Sequence, residues 1–259
     1  MDAAAALAAP ERFLLELGFA SLRPGAALAL LPGLGGQMIP LQVRIGLAAA
    51  VGFLVLGGPA PPRPPEDLLS LGGLAVVAGE LLIGLAAALF LHAAFAAAQV
   101  AGEWLAQASG LGFAIAVTGE GSALSTLSTL FALLMWSLIL AAGGHLLLFE
   151  VLIESYRAMP SAAALLDPGR LLVIFGWGGF ALASGLIAAL PLGVALLLVN
   201  VALAVAAKSA PQLNLFSIGF PLMLIVLLLG LPLALPGLAA SLAGALLRLQ
   251  DELARVLLG

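Results

Sequence analysis

Cysteine is absent from this 259-residue chain, tyrosine occurs once, and charge is scarce, with 9 Lys+Arg and 13 Asp+Glu making up 8% of the residues. Without cysteine there is no disulfide, no thiolate nucleophile and no cysteine-ligated zinc or iron–sulfur centre. The shortage of charge excludes more. A soluble domain carries about 25% charged residues because its surface faces water, so most of this surface must meet lipid or other protein. The formal net charge of -4 leaves no basic stripe, and a nucleic-acid partner requires one. No Walker A loop is present, no GxSxG elbow surrounds Ser109 or Ser184, and no HExxH includes His92 or His145. Nucleotide hydrolysis, serine hydrolysis and zinc-protease chemistry therefore lack their sequence signatures. The reading is non-enzymatic, with no metal and no cofactor.

What the chain has is apolar length. Hydrophobic residues make up 63%, and the mean hydropathy is +1.23. Nothing ionised lies between Arg23 and Arg44, Glu120 and Glu150, Arg170 and Lys208, or Lys208 and Arg248. Each gap supplies the roughly 20 apolar residues that cross a hydrocarbon core about 30 Å thick. The fold class expected is all-α, an integral membrane protein treated as one domain over 1–259. Six main apolar segments fall near 13–31, 42–58, 77–102, 123–148, 171–199 and 213–236. The N-terminus begins with an acid and lacks a basic n-region, so the first helix is expected to be kept.

The breaks differ in kind. Pro59 to Asp67 carries five prolines, which preclude a helix and favour an extended, solvated chain. Met159 to Arg170 stops the fourth segment and offers Asp167 as an N-cap before Pro168 at the first helical position. Around Gly110–Gly121 the sequence GLGFAIAVTGEG is apolar yet rich in glycine. Non-helical backbone at membrane depth must be buried in protein or line a cavity, so this loop is a candidate for function. Prolines 191, 211, 221, 232 and 236 recur through the last third of the chain; each removes a backbone donor and bends its helix. In the tail, Leu242, Leu246, Leu249, Leu253 and Val256 share one helical side, while Arg248, Glu252 and Arg255 share another. That pattern is an amphipathic helix, lying on the membrane, docking on a partner or simply ending the last segment.

Ionisable groups within apolar runs are few. Glu80, Glu103 and Lys208 each cost roughly 2.5–3.5 kcal/mol at a helix centre. Three readings stay open: proton carriage, pairing of the glutamates with Lys208 or a partner's base, or placement at helix ends near water. His92 and His145 sit in apolar surroundings, where a neutral imidazole hydrogen-bonded to a neighbouring helix is expected.

Residues Asn200–Leu222 read NVALAVAAKSAPQLNLFSIGFPL, a string that strongly resembles the FliR family of flagellar export-gate proteins, related to the SctT proteins of injectisomes. The likeness continues through Ile39-Pro40 and Val43-Arg44, Glu80-Leu81-Leu82-Ile83-Gly84, the AGEW motif at 101–104 and GGHLLLFEVLIESYRAMP at 143–160. It implies kinked helical hairpins, with a FliP-like part over about 1–165 followed by a FliQ-like part over about 166–259. It also implies a structural subunit of the export gate of the bacterial inner membrane, built with FliP and FliQ and contacted by FlhB, through which unfolded flagellar proteins leave the cell. Much of the apolar surface would then face sibling subunits as well as lipid. The alternatives are an injectisome homologue and a proton-coupled secondary transporter.

The same resemblance implies a pore plug at Gly110, Leu111, Gly112 and Phe113. Glycines let the loop turn tightly, and Phe113 with Leu111 fills a narrow passage that closes by dewetting. Relatives often carry Asp-Pro shortly afterwards, whereas this chain has Val117-Thr118-Gly119-Glu120-Gly121, so Glu120 is the substitute acceptor considered. A second group, Pro211, Gln212, Asn214, Phe216, Gly219, Phe220 and Pro221, is expected to form a turn between two helices and to pack on a neighbouring subunit. Lys208 just before it is best placed as a helix-terminal cation.

Overall fold

The computed structural model describes residues 10–32, 40–59, 61–111, 125–209 and 215–259, and among them every regular element is helical. The helices are α1 (Pro10–Ala20), α2 (Leu22–Leu30), α3 (Leu41–Leu56), α4 (Leu71–Ala108), α5 (Thr126–Ala141), α6 (Gly144–Ala158), α7 (Pro168–Ser209) and α8 (Leu215–Leu258), with a short 3₁₀ turn at Ala162–Ala164. Three of them, α4, α7 and α8, are long and apolar enough to cross a membrane, or up to five spans exist if each bent pair counts as one. The all-α membrane class expected from composition is what the chain adopts.

Local chemistry sets the boundaries. Residues 61–65 of the proline-rich stretch have no regular structure. Ser70 then caps α4, its Oγ accepting from Gly73 N at 3.0 Å. Asp167 caps α7 as its sequence position predicts: Oδ2 accepts from Gly169 N at 3.0 Å and Arg170 N at 3.3 Å, with Pro168 first in the helix. Between α1 and α2 the axis bends by 41°. There Ser21 Oγ donates to Leu17 O at 2.6 Å, a back-bond that bends helices, and Pro24 follows inside the first turn of α2.

Several expected boundaries are corrected. The fourth segment is two helices, broken at Gly143, whose φ of +67° lies in the left-handed region that glycine enters freely. Helix α4 extends at both ends of the expected 77–102, and α7 runs ten residues past 199. The last apolar segment and the amphipathic tail form one helix, α8, which passes through Pro221, Pro232 and Pro236, while α7 passes through Pro191. A proline removes a single donor, and a long apolar helix keeps the remaining bonds because hydrocarbon offers them no competitor.

The described chain forms two compact units. The first comprises the chain up to Ala93, Gly143–Trp177 and Arg248–Gly259; its core includes Leu28, Ile83, Phe90, Leu148, Leu152 and Leu253. Within it the C-terminal end of α8 docks on the start of α7, with Trp177 Nε1 donating to Glu252 Oε2 at 2.8 Å and Arg170 Nη1 donating to Val256 O at 2.6 Å. The apolar side read from the tail is thus buried against the chain's own helix, with Leu249, Leu253 and Val256 covered and Arg248, Asp251 and Arg255 exposed. The second unit comprises Ala94–Ala142 and Gly178–Leu247. Ala97, Ala98, Leu105, Phe131, Met135 and Leu196 form its interior, and Phe95 meets Trp136 edge to face at 5.0 Å. Only 28% of α7's and 17% of α8's most apolar stretch is covered by the chain itself, against half of α4's. These faces, with Phe175, Leu198, Leu229 and Leu233 largely exposed, are suited to lipid or other protein.

Candidate functional site

Two polar constellations stand out against this background, one in each unit. In the first unit, α2 carries Arg23 into the interior, where it has no exposed surface. Its Nε and Nη2 donate to Glu80 Oε2 and Oε1, each at 2.9 Å; Nη1 donates to Ser155 Oγ at 2.7 Å and Nη2 also to Met159 O at 3.2 Å. The guanidinium lies 4.0 Å over the ring of Tyr156, whose hydroxyl donates to Ala20 O at 2.8 Å. Four of the five arginine N–H donors are engaged, and the fork of the guanidinium matches both carboxylate oxygens. A buried pair holds only when its hydrogen bonds are completed in this way. Gly84, one turn beyond Glu80, lets α2 approach: a Cβ there would lie 2.2 Å from Arg23 O. The Glu80-to-Gly84 motif is thereby explained as one ion-pair ligand plus one close backbone contact.

The partner of Glu80 is Arg23 and not Lys208. In the sequence Arg23 is an isolated cation within an apolar helical run, and its pairing across 57 residues is not visible to local pattern. Lys208 lies exposed in the last turn of α7, a position suited to a helix-terminal cation. His145 stands in the first turn of α6 with a buried Nδ1 that has no hydrogen-bond partner among the described residues, whereas His92 Nε2 bonds Leu30 O.

In the second unit the site is the C-terminal end of α4. Gly102 permits the start of α5 to lie against it, since a Cβ at Gly102 would fall 2.6 Å from Ser128 Cα. Glu103, only partly covered, accepts from Gln107 Nε2 at 3.0 Å, and Ser128 Oγ lies 3.1 Å from its other oxygen and 3.0 Å from Gln99 O. Ser125 caps α5 by accepting from Ser128 N at 3.1 Å. The Gly-Glu motif therefore fastens the entry of α5 to α4. Helix α4 ends at Ala108; Ser109 is fully buried, and Gly110 turns the chain with φ +79°. A Cβ at Gly110 would lie 3.9 Å from Phe220 Cδ2, so the structure brings together one residue from each of the two groups singled out in the sequence. Leu111 is half-buried beside them, Gly219 is buried, and Pro221 is exposed within α8. Phe216 belongs to the first turn of α8. Gly112, Phe113, Glu120, Pro211, Gln212 and Asn214 lie outside the described residues.

No group of three or more His, Asp or Glu residues converges as a metal site among the described residues. What both constellations do is fasten helices to one another through polar groups, buried around Arg23 and partly exposed around Glu103.

The sequence matches the model of a family described as bacterial export proteins, family 1, over residues 14–249. It is 33% identical to the flagellar biosynthetic protein FliR of Escherichia coli K12 over 208 residues, covering 79% of this chain and 78% of that protein. Likeness to the FliR proteins of Aquifex aeolicus (34%, covering 86% of this chain and 88% of the relative) and Bacillus subtilis (26%, covering 79% and 80%) spans similar shares. With that extent of match on a chain of long apolar helices, the protein belongs to the FliR family of bacterial export proteins and is a membrane component of the flagellar export apparatus.

Proposed function

We propose that the chain is a structural subunit of the type III export gate in the bacterial inner membrane, at the flagellar basal body, and does no catalysis of its own. It assembles with FliP-like and FliQ-like subunits, is contacted by an FlhB-like protein, and helps form the pore for unfolded flagellar proteins. Residues 1–165 supply the FliP-like part and 166–259 the FliQ-like part. The loop that begins at Gly110-Leu111 and continues through Gly112-Phe113 closes the pore when no cargo passes. The observation that carries this reading is the end of α4, where a left-handed glycine turns the chain out of a tightly fastened helix, beside Phe220, into an apolar, glycine-rich stretch. Pro211, Gln212 and Asn214 serve the turn that packs on a neighbour.

A proton-coupled transporter is the rival. The engagement of both Glu80 oxygens by Arg23 counts against it, because a proton carrier must exchange with water. Co-expression with the neighbouring gene products tests the assembly: stable recovery only together with FliP-like and FliQ-like chains is expected, and full activity of the chain alone as a solute transporter would sink the proposal. Deleting 110–113 should make the assembled gate leak ions, and an unchanged leak would remove the plug assignment.

A further inference from the structure

The end of α4 is gripped along its side by α7. Three α7 positions on one side, Gly185, Gly193 and Asn200, meet Ala97, Trp104 and Ala108 of α4 in that order, so the two helices run parallel here. A Cβ at Gly185 would lie 2.2 Å from Ala97 O, and one at Gly193 would lie 1.8 Å from Trp104 Cζ3. At Gly185 a side chain would strike the backbone of α4, and at Gly193 it would have to displace the Trp104 indole; a close-packed seam of this kind resists sliding. The third contact is polar. Asn200 Nδ2 donates to Ala108 O at 2.7 Å. Ala108 is the last residue of α4, and the last four carbonyls of a helix lack an intrahelical donor. Asn200 lies on an exposed side of α7 among the apolar side chains of Leu197, Leu198 and Val201, none of which can accept or donate a hydrogen bond to its amide.

We propose that Asn200 is a positioning residue that holds the final carbonyl of α4 and so sets where the chain leaves the helix at Gly110. The two glycine contacts below it define the register of α7 on α4, and Asn200 transmits that register to the helix end. Phe220, from α8, stands beside the turn. A displacement of α7 along its axis would therefore be felt first at Gly110 and Leu111. The consequence for pore closure rests on the plug reading given above; the anchoring itself does not.

The test uses the full chain expressed with its export-gate partners. Asn200→Asp is nearly isosteric but turns an acceptor toward the Ala108 carbonyl, and Asn200→Ala removes the amide. Because the chain has no cysteine, Leu111→Cys supplies a single reporter directly after the Ser109–Gly110 turn, read by the rate of labelling with a membrane-impermeant maleimide. Both Asn200 variants should raise that rate at least about threefold, the population change produced by losing a typical interhelical hydrogen bond in a membrane protein, at unchanged chain level in the membrane. A labelling rate in Asn200→Asp equal to that of the Leu111→Cys parent overturns the proposal. Ion leak from the deletion of 110–113, measured alongside, separates the two ideas. Faster labelling with a silent deletion keeps the Asn200 anchor and removes the plug; a leaking deletion with unchanged labelling does the reverse.

Discussion

Arg23 holds both carboxylate oxygens of Glu80 at 2.9 Å in an interior where the arginine has no exposed surface. The pair ties α2 to α4, and the remaining arginine donors tie both to Ser155 and Met159 at the end of α6. A charge placed so deeply is tolerable only while its partner is present.

Removing one partner should therefore cost more than removing both. Glu80→Gln or Arg23→Met is expected to destabilise the chain by about 3–5 kcal/mol, read as a lowered midpoint of thermal unfolding in detergent and reduced accumulation in the membrane. The double variant Arg23→Met/Glu80→Met should recover part of that loss. Arg23→Lys should behave like a loss of the pair, because an ammonium lacks the planar fork; wild-type stability in Arg23→Lys would contradict the bidentate account.

Gly102→Val would drive a side chain into the backbone of Ser128. Overpacking of this kind costs about 1–3 kcal/mol and here separates α5 from α4. Loss of the chain from purified membranes, with Gly102→Ala intermediate, is the expected outcome of quantitative immunoblotting.

Glu103→Gln keeps the shape of the Ser128 and Gln107 contacts while removing the charge. A fastening role predicts motility within about twofold of the parent strain, given the modest worth of partly exposed polar contacts. Abolished motility at normal protein level would revive proton coupling through this residue.

Asp167→Ala should remove the cap of α7 and cost about 1 kcal/mol. The expected effect is a small fall in the unfolding midpoint with assembly intact, measured by co-purification yield. Asp167→Ser should restore most of the difference, since its hydroxyl accepts from the same backbone donors.

The membrane class, the proline-rich break at 61–65, the Asp167 cap and the buried side of the tail were all legible in the sequence, because each is written in residues close along the chain. The AGEW motif was visible as a pattern, but the reason for it was not: Gly102 faces Ser128, and Trp104 faces Gly193. The prolines of the last third are legible as places where a helix loses a donor and bends, but not that α7 and α8 continue through four of them. Proline's cost is local and fixed, while the gain from a continuous hydrogen-bonded helix in an apolar setting grows with length.

By itself the sequence determined that this protein lives among apolar neighbours and is built from helices, since 8% charge cannot coat a soluble domain. It also marked the glycine at 110 where α4 stops. Only the tertiary structure decided which charges meet, that Arg23 and not Lys208 neutralises Glu80, and that Asn200 reaches the end of α4. Those choices join residues 57 and 92 positions apart, and no periodicity along a chain encodes a partner at that distance. They follow from which helix faces come together, and from the demand that every polar group withdrawn from water find another.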